Sequence, residues 1–96
     1  MQIENSAKIS AVKIITPEPF VDERGSFTRI FCVRELAEAL NGKNIQQISY
    51  SSTEIKGSIR GMHFQKPPHS EIKIIRCTKG SIFDVAVDLR KNSPTF

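Results

Sequence analysis

The chain has 96 residues and a formal net charge of +4, from 14 Lys and Arg against 10 Asp and Glu. That length allows one domain and no more, and a composition 39% hydrophobic and 25% charged excludes a disordered chain. No apolar run approaches the roughly 20 residues that span a bilayer, Met1 to Ser10 lacks an apolar signal region, and Cys32 and Cys77 form no close-spaced pair, which together predict a cytoplasmic protein without a membrane partner.

Ala11 to Ile15 is rich in β-branched residues and reads as a strand, stopped by Pro17 and Pro19. Asp22-Glu23-Arg24-Gly25 reads as a turn, and Ser26 to Phe31 as a strand forming a hairpin-like pair with what precedes it. Val33 to Asn41 is the one good helix: Leu36 and Leu40 sit four apart on one face, and Gly42 supplies the stop. It is expected to cover one edge of a sheet.

From Ile45 the pattern has period two, with Gln47, Ser49 and Ser51 on one face and Ile48 and Tyr50 on the other. After a turn at Gly57, Ser58 to Gln65 reads as a strand with Gly61 inside it, marking a bulge or a close backbone approach. Pro67-Pro68 ends it. Ile72 to Cys77 is a further strand, followed by a turn at Thr78-Lys79-Gly80. In Ser81 to Leu89, Phe83, Val85, Val87 and Leu89 share one face, and Asn92-Ser93-Pro94 turns again. Many short strands, regular turns and one short helix predict an all-β protein, a β-sandwich or jelly roll.

The basic residues Lys43, Lys56, Lys66, Lys79, Arg90 and Lys91 are scattered, with neither a stripe nor interleaved aromatics. No nucleic-acid partner is expected, and a small phosphorylated ligand fits the charge with fewer assumptions. His63 lies mid-strand in Arg60-Gly61-Met62-His63-Phe64-Gln65. It is either a core histidine satisfied by a backbone carbonyl or a general base, since imidazole takes and returns a proton near neutral pH. Lys73, ten residues on among Ile72, Ile74 and Ile75, either snorkels to solvent or points into a polar pocket. The pair is what abstraction of a proton α to a carbonyl needs: a base for the proton and a cation for the enolate oxygen.

A metal site at His63, His69 and Glu71 is the weaker alternative, because Gln65 stands where a close His-x-His pair would need its second histidine. Arg24 beside Gly25 and Arg60 beside Gly61 are either surface arginines or phosphate forks, the glycine letting a ligand approach. Asp84 is read as a satisfied structural aspartate or as support for a polar pocket group.

Four segments then occur together: Asp22-Glu23-Arg24-Gly25-Ser26-Phe27, Gln47-Ile48-Ser49-Tyr50-Ser51, Arg60 to Gln65, and Gly80 to Arg90 running into Ser93-Pro94-Thr95-Phe96. In order and spacing they resemble the dTDP-4-dehydrorhamnose 3,5-epimerase family of cupin-like jelly rolls. The resemblance implies epimerisation of a dTDP-linked 4-keto-6-deoxyhexose, with no metal or organic cofactor because the C4 ketone is itself the electron sink.

It implies His63 as the base and Lys73 as the cation near the C4 oxygen. Arg60 would bind the diphosphate, Arg24 and Phe27 would reach the nucleotide from the other subunit of a homodimer, and Gln47 and Ser49 would form a polar pair on the pocket wall. The family usually has asparagine at the place of Ser49 and glutamate at that of Arg29, and one residue fewer between Ser51 and Arg60. Its acid tyrosine and the aspartate that pairs with the base correspond to positions after Phe96. Residues 1–96 are therefore expected to be the N-terminal part of a single cupin-like epimerase domain, incomplete at the C-terminus, inactive alone, and unstable or oligomeric. Single-carbon epimerisation or keto-isomerisation of a related nucleotide sugar is the alternative within enzymes, and a non-catalytic sugar-nucleotide-binding cupin the alternative outside them.

Overall fold

The computed structural model describes residues 1–96. Its regular elements are four strands and one short helix: β1 (Gln2–Asn5), β2 (Lys13–Thr16), β3 (Pro19–Asp22), β4 (Gly25–Thr28) and α1 (Ala37–Leu40). The strands form two separate antiparallel ribbons, β1 with β2 and β3 with β4. In the first, Ile3 stands opposite Ile15, and a loop hydrogen bond from Ser6 N–H to Val12 C=O (2.8 Å) continues the pairing. Strand β1 had no counterpart in the sequence reading, because one apolar residue between Gln2 and Glu4 is too little for a period-two pattern to register.

The second ribbon is the expected hairpin. Asp22 pairs with Gly25 across the turn Glu23-Arg24, and Phe20 stands opposite Phe27. The Asp22 carboxylate accepts the Arg24 backbone N–H at 2.9 Å, an Asx turn that favours this geometry locally. The strand expected over Ser26 to Phe31 is shorter, ending at Thr28.

The expected helix is present as turns from Val33 that regularise into α1. Asn41 takes the left-handed conformation and donates its N–H to Glu38 C=O at 3.1 Å, and Gly42 follows at φ +73. Leu36 and Leu40 are 1% and 5% exposed, the only buried apolar side chains. Ile3, Asn5 and Lys13 share a groove with Glu35, Glu38 and Ala39, so the helical segment lies along the first ribbon.

Beyond Ile45 the turns lie where the sequence puts them, but the strands between them do not form. Backbone hydrogen bonds close turns from Ser58 to Ile55, His69 to Lys66 and Ser93 to Arg90. The segments read as strands at 45–51, 58–65, 72–77 and 81–89 are unpaired, and no jelly roll or sandwich is assembled. Alternation equips a segment for a sheet, but a strand exists only where a neighbour takes up its ladder hydrogen bonds. The chain makes 18 backbone–backbone hydrogen bonds, against roughly 60 for a packed domain of this length. Phe83, on the apolar face that Val85, Val87 and Leu89 share, is 94% exposed.

Candidate active site

The β3–β4 hairpin carries the first group of candidate residues. At its tip Arg24 turns back on Asp22, with Nη2 to Oδ2 at 2.6 Å and Nε to Oδ2 at 3.2 Å. This side-chain bond, with the Arg24 backbone N–H, holds the Asp22 carboxyl below its ordinary value. The Arg24 side chain remains 83% exposed, so the guanidinium is tethered at one edge and open at the other. Phe27 and its cross-strand partner Phe20 line a pocket with Met1, Glu18, Arg29 and Glu35. Arg29 Nη1 donates to Glu35 Oε1 at 2.7 Å, which lowers the Glu35 carboxyl and raises the guanidinium. Arg29 stands where the resemblance expects a glutamate, and its charge is answered by Glu35.

The second group lies in the extended segments. Gln47 and Ser49 are exposed and make no hydrogen bond within the chain. Arg60 folds against the preceding segment, with Nε to Thr53 Oγ1 at 3.2 Å and Nη2 to Ser52 C=O at 3.5 Å. The His63 imidazole sets its Nδ1 and Cε1 edge against Gly61, whose φ is +102. The Lys73 ammonium pairs with Glu71 Oε1 at 3.1 Å, both side chains about half exposed. Asp84 is exposed and unpaired. No hydrogen bond or ion pair joins any two of the eight candidates. Each is held by its own local segment, because the strands that would set His63 beside Lys73 have no ladder between them.

The most organised polar group is one that sequence reasoning did not single out. Asp88, with its side chain 2% exposed, accepts Arg90 Nε at 2.8 Å, Arg90 Nη2 at 2.7 Å and the Arg90 backbone N–H at 3.0 Å. The Ser93 hydroxyl and the Thr95 hydroxyl (2.6 Å) also donate to Oδ2. Five donors hold its carboxyl far below the usual carboxylate range, the Arg90 side chain contributing most. The signal was legible as Asp88-x-Arg90 followed by Ser93-x-Thr95, donors at the spacing a closed turn requires. No helix of the chain is long and apolar enough to cross a membrane.

Comparison with known proteins assigns the chain. The profile of the family described as dTDP-4-dehydrorhamnose 3,5-epimerase matches residues 6–96. A dTDP-4-dehydrorhamnose 3,5-epimerase of Shigella flexneri is 42% identical over 90 residues, 93% of this chain and 49% of the relative. One of Methanothermobacter thermautotrophicus is 43% identical over 84 residues, 86% of this chain and 44% of the relative. A dTDP-4-dehydrorhamnose 3-epimerase of Streptomyces niveus is 39% identical over 88 residues, 92% and 42% of the two chains. The chain thus spans about half the length of the curated relatives it matches. No solved structure matches it. With a match running from Ser6 to Phe96, through Arg24, Arg60, His63 and Lys73, the chain belongs to the dTDP-4-dehydrorhamnose 3,5-epimerase family.

Proposed function

We propose that the protein epimerises a dTDP-linked 4-keto-6-deoxyhexose in deoxysugar biosynthesis, and that residues 1–96 supply its base, its enolate cation and its nucleotide contacts. The observation that carries this reading is the family match over residues 6–96, which includes the whole Arg60–Gln65 segment. The C4 ketone acidifies the protons at C3 and C5. His63 removes one of them, and the electron pair moves onto the C4 oxygen, where the Lys73 ammonium stabilises the charge. An acid outside the residues described returns a proton from the opposite face, inverting the carbon. The ketone accepts the electrons, so the chemistry calls for no organic cofactor.

Arg60 and Arg24 bind the diphosphate, their open guanidinium edges matching phosphate oxygens in pairs. Phe27 offers the nucleotide an apolar face, Gln47 and Ser49 line the sugar pocket, and Asp84 supports it. Residues 1–96 correspond to the N-terminal part of one cupin-like jelly roll acting as a homodimer in the cytoplasm, with Arg24 and Phe27 reaching the neighbouring subunit's site. Such an assembly would give the unpaired segments the neighbours they lack.

The test is deuterium incorporation. The full-length protein, incubated in deuterated water with dTDP-4-keto-6-deoxyglucose, is expected to place deuterium at both C3 and C5, read by NMR. The similarity to a relative named as a 3-epimerase favours a second reading, deuterium at C3 alone. Exchange at neither carbon, with dTDP still bound, would leave a non-catalytic binding cupin.

A further inference from the structure

Three cations of the chain are each held by an acid two residues earlier: Arg24 by Asp22, Lys73 by Glu71 and Arg90 by Asp88. In two of these the pair belongs to a turn, because the aspartate also accepts the backbone N–H of its arginine, at 2.9 Å for Arg24 and 3.0 Å for Arg90. Glu71 closes no such turn. Its carboxylate has one partner, the Lys73 ammonium, with Oε1 3.1 Å from Nζ. The residue before it is tied down as well. Ser70 C=O accepts Lys43 Nζ at 3.3 Å across 27 positions, which joins this segment to the loop after α1. The ion pair lies within one segment and needs no strand beside it.

We propose that Glu71 is a positioning residue for Lys73: its carboxylate tethers the ammonium on one side and so narrows where the charge can stand. The proposal rests on the reading of Lys73 as the enolate cation. Lysine carries its charge on a flexible four-carbon stem, and the ammonium has three N–H donors, so a partner on one side leaves donors for the C4 oxygen. A cation speeds enolate formation to the extent that it already stands where the charge develops. The tether therefore acts on the chemical step and not on substrate binding. The carboxylate also opposes the charge forming on the oxygen. With both side chains about half exposed, solvent screens that repulsion, and the tether decides the sign.

The experiment compares E71Q and E71D in the full-length protein. E71Q is expected to slow deuterium exchange at saturating substrate by roughly three- to fivefold, the scale of one partly exposed ion pair, with KM within about twofold of the parent. E71D keeps the carboxylate and should retain at least about half of the parent rate. E54Q, which removes the same charge at another exposed glutamate, should leave the rate unchanged. ¹³C relaxation of the Lys73 Cε methylene, measured without substrate, should show a more mobile stem in E71Q, with Lys79 unaffected. A loss confined to KM, an equal loss in E54Q, or an unmoved Lys73 signal would overturn the proposal. Faster exchange in E71Q would also overturn it, as the mark of a carboxylate that weakens the cation. If the parent protein exchanges no deuterium, the epimerase reading fails and the proposal with it; a parent that exchanges while E71Q matches its rate overturns the proposal alone.

Discussion

Leu36→Ala tests where this chain holds its apolar packing. Leu36 is 1% exposed and lies one helical turn before Leu40, which is 5% exposed. The substitution removes three buried carbons at about 0.8 kcal/mol each, or about 2.4 kcal/mol of transfer free energy. Residual cavity would add to this, but the open surroundings let the site relax, which places the loss toward the lower end of the usual Leu→Ala range of about 2–5 kcal/mol. For a chain of this size that corresponds to a fall in thermal midpoint of about 10–20 °C. The matched control is Phe83→Ala, at a side chain 94% exposed, expected within about 0.5 kcal/mol of the parent. Both are read by circular dichroism on heating residues 1–96 alone, the chain to which these exposures belong. If Phe83→Ala proves the costlier change, the Ser81 to Leu89 segment is packed inside a core, and the reasoning from exposure is wrong.

Three further outcomes are expected. In the full-length protein His63→Asn should lower turnover by roughly 10²-fold or more while dTDP affinity stays near normal, and near-normal deuterium exchange by this variant would remove His63 from the role of base. Arg60→Ala should raise the dTDP dissociation constant roughly ten- to hundredfold, the scale of one lost charge-assisted hydrogen bond, as calorimetry would show; unchanged affinity would place the diphosphate elsewhere. The Asp88 carboxyl is held far below its ordinary value in the folded chain, so the stability it contributes is complete above an unfolded pKa of about 3.9 and declines as pH falls below that. Amide protection at Arg90, Ser93 and Thr95 should therefore weaken on acidification below about pH 4. Asp88→Asn should show weak protection already at neutral pH and little further change with acid, and acid-insensitive protection in the parent would contradict the hydrogen-bonded cluster.

The legible parts of the fold are those whose cause is short-range. The Asp22–Gly25 turn follows from an Asx hydrogen bond two residues long, the helix stop from Asn41 and Gly42, and the turns near Gly57, Pro67 and Ser93 from their own residues. Leu36 and Leu40 were recognisable as a buried pair because helical spacing alone puts them on one face. The candidate site was legible as residue types in four spaced segments, and the match over residues 6–96 supports the family those segments pointed to. Glu71 as the partner of Lys73, Glu35 as that of Arg29 and the Asp88 donors were not picked out, because a charged residue's partner is decided by which rotamers meet, and spacing alone leaves several choices.

By itself, then, the sequence determined the family, the hairpin, the helix and the identity of the chemical groups, since each depends on residue type and separations of a few positions. Only tertiary structure decided which strands pair, where β1 lies and whether His63 and Lys73 face each other. Period two prepares a segment for a sheet on either face and with any neighbour, and the ladder hydrogen bonds and buried apolar area that select one pairing come from residues distant in the chain. In this chain those distant partners are met between β1 and β2 and between β3 and β4, and not between the segments that carry the proposed base and its cation.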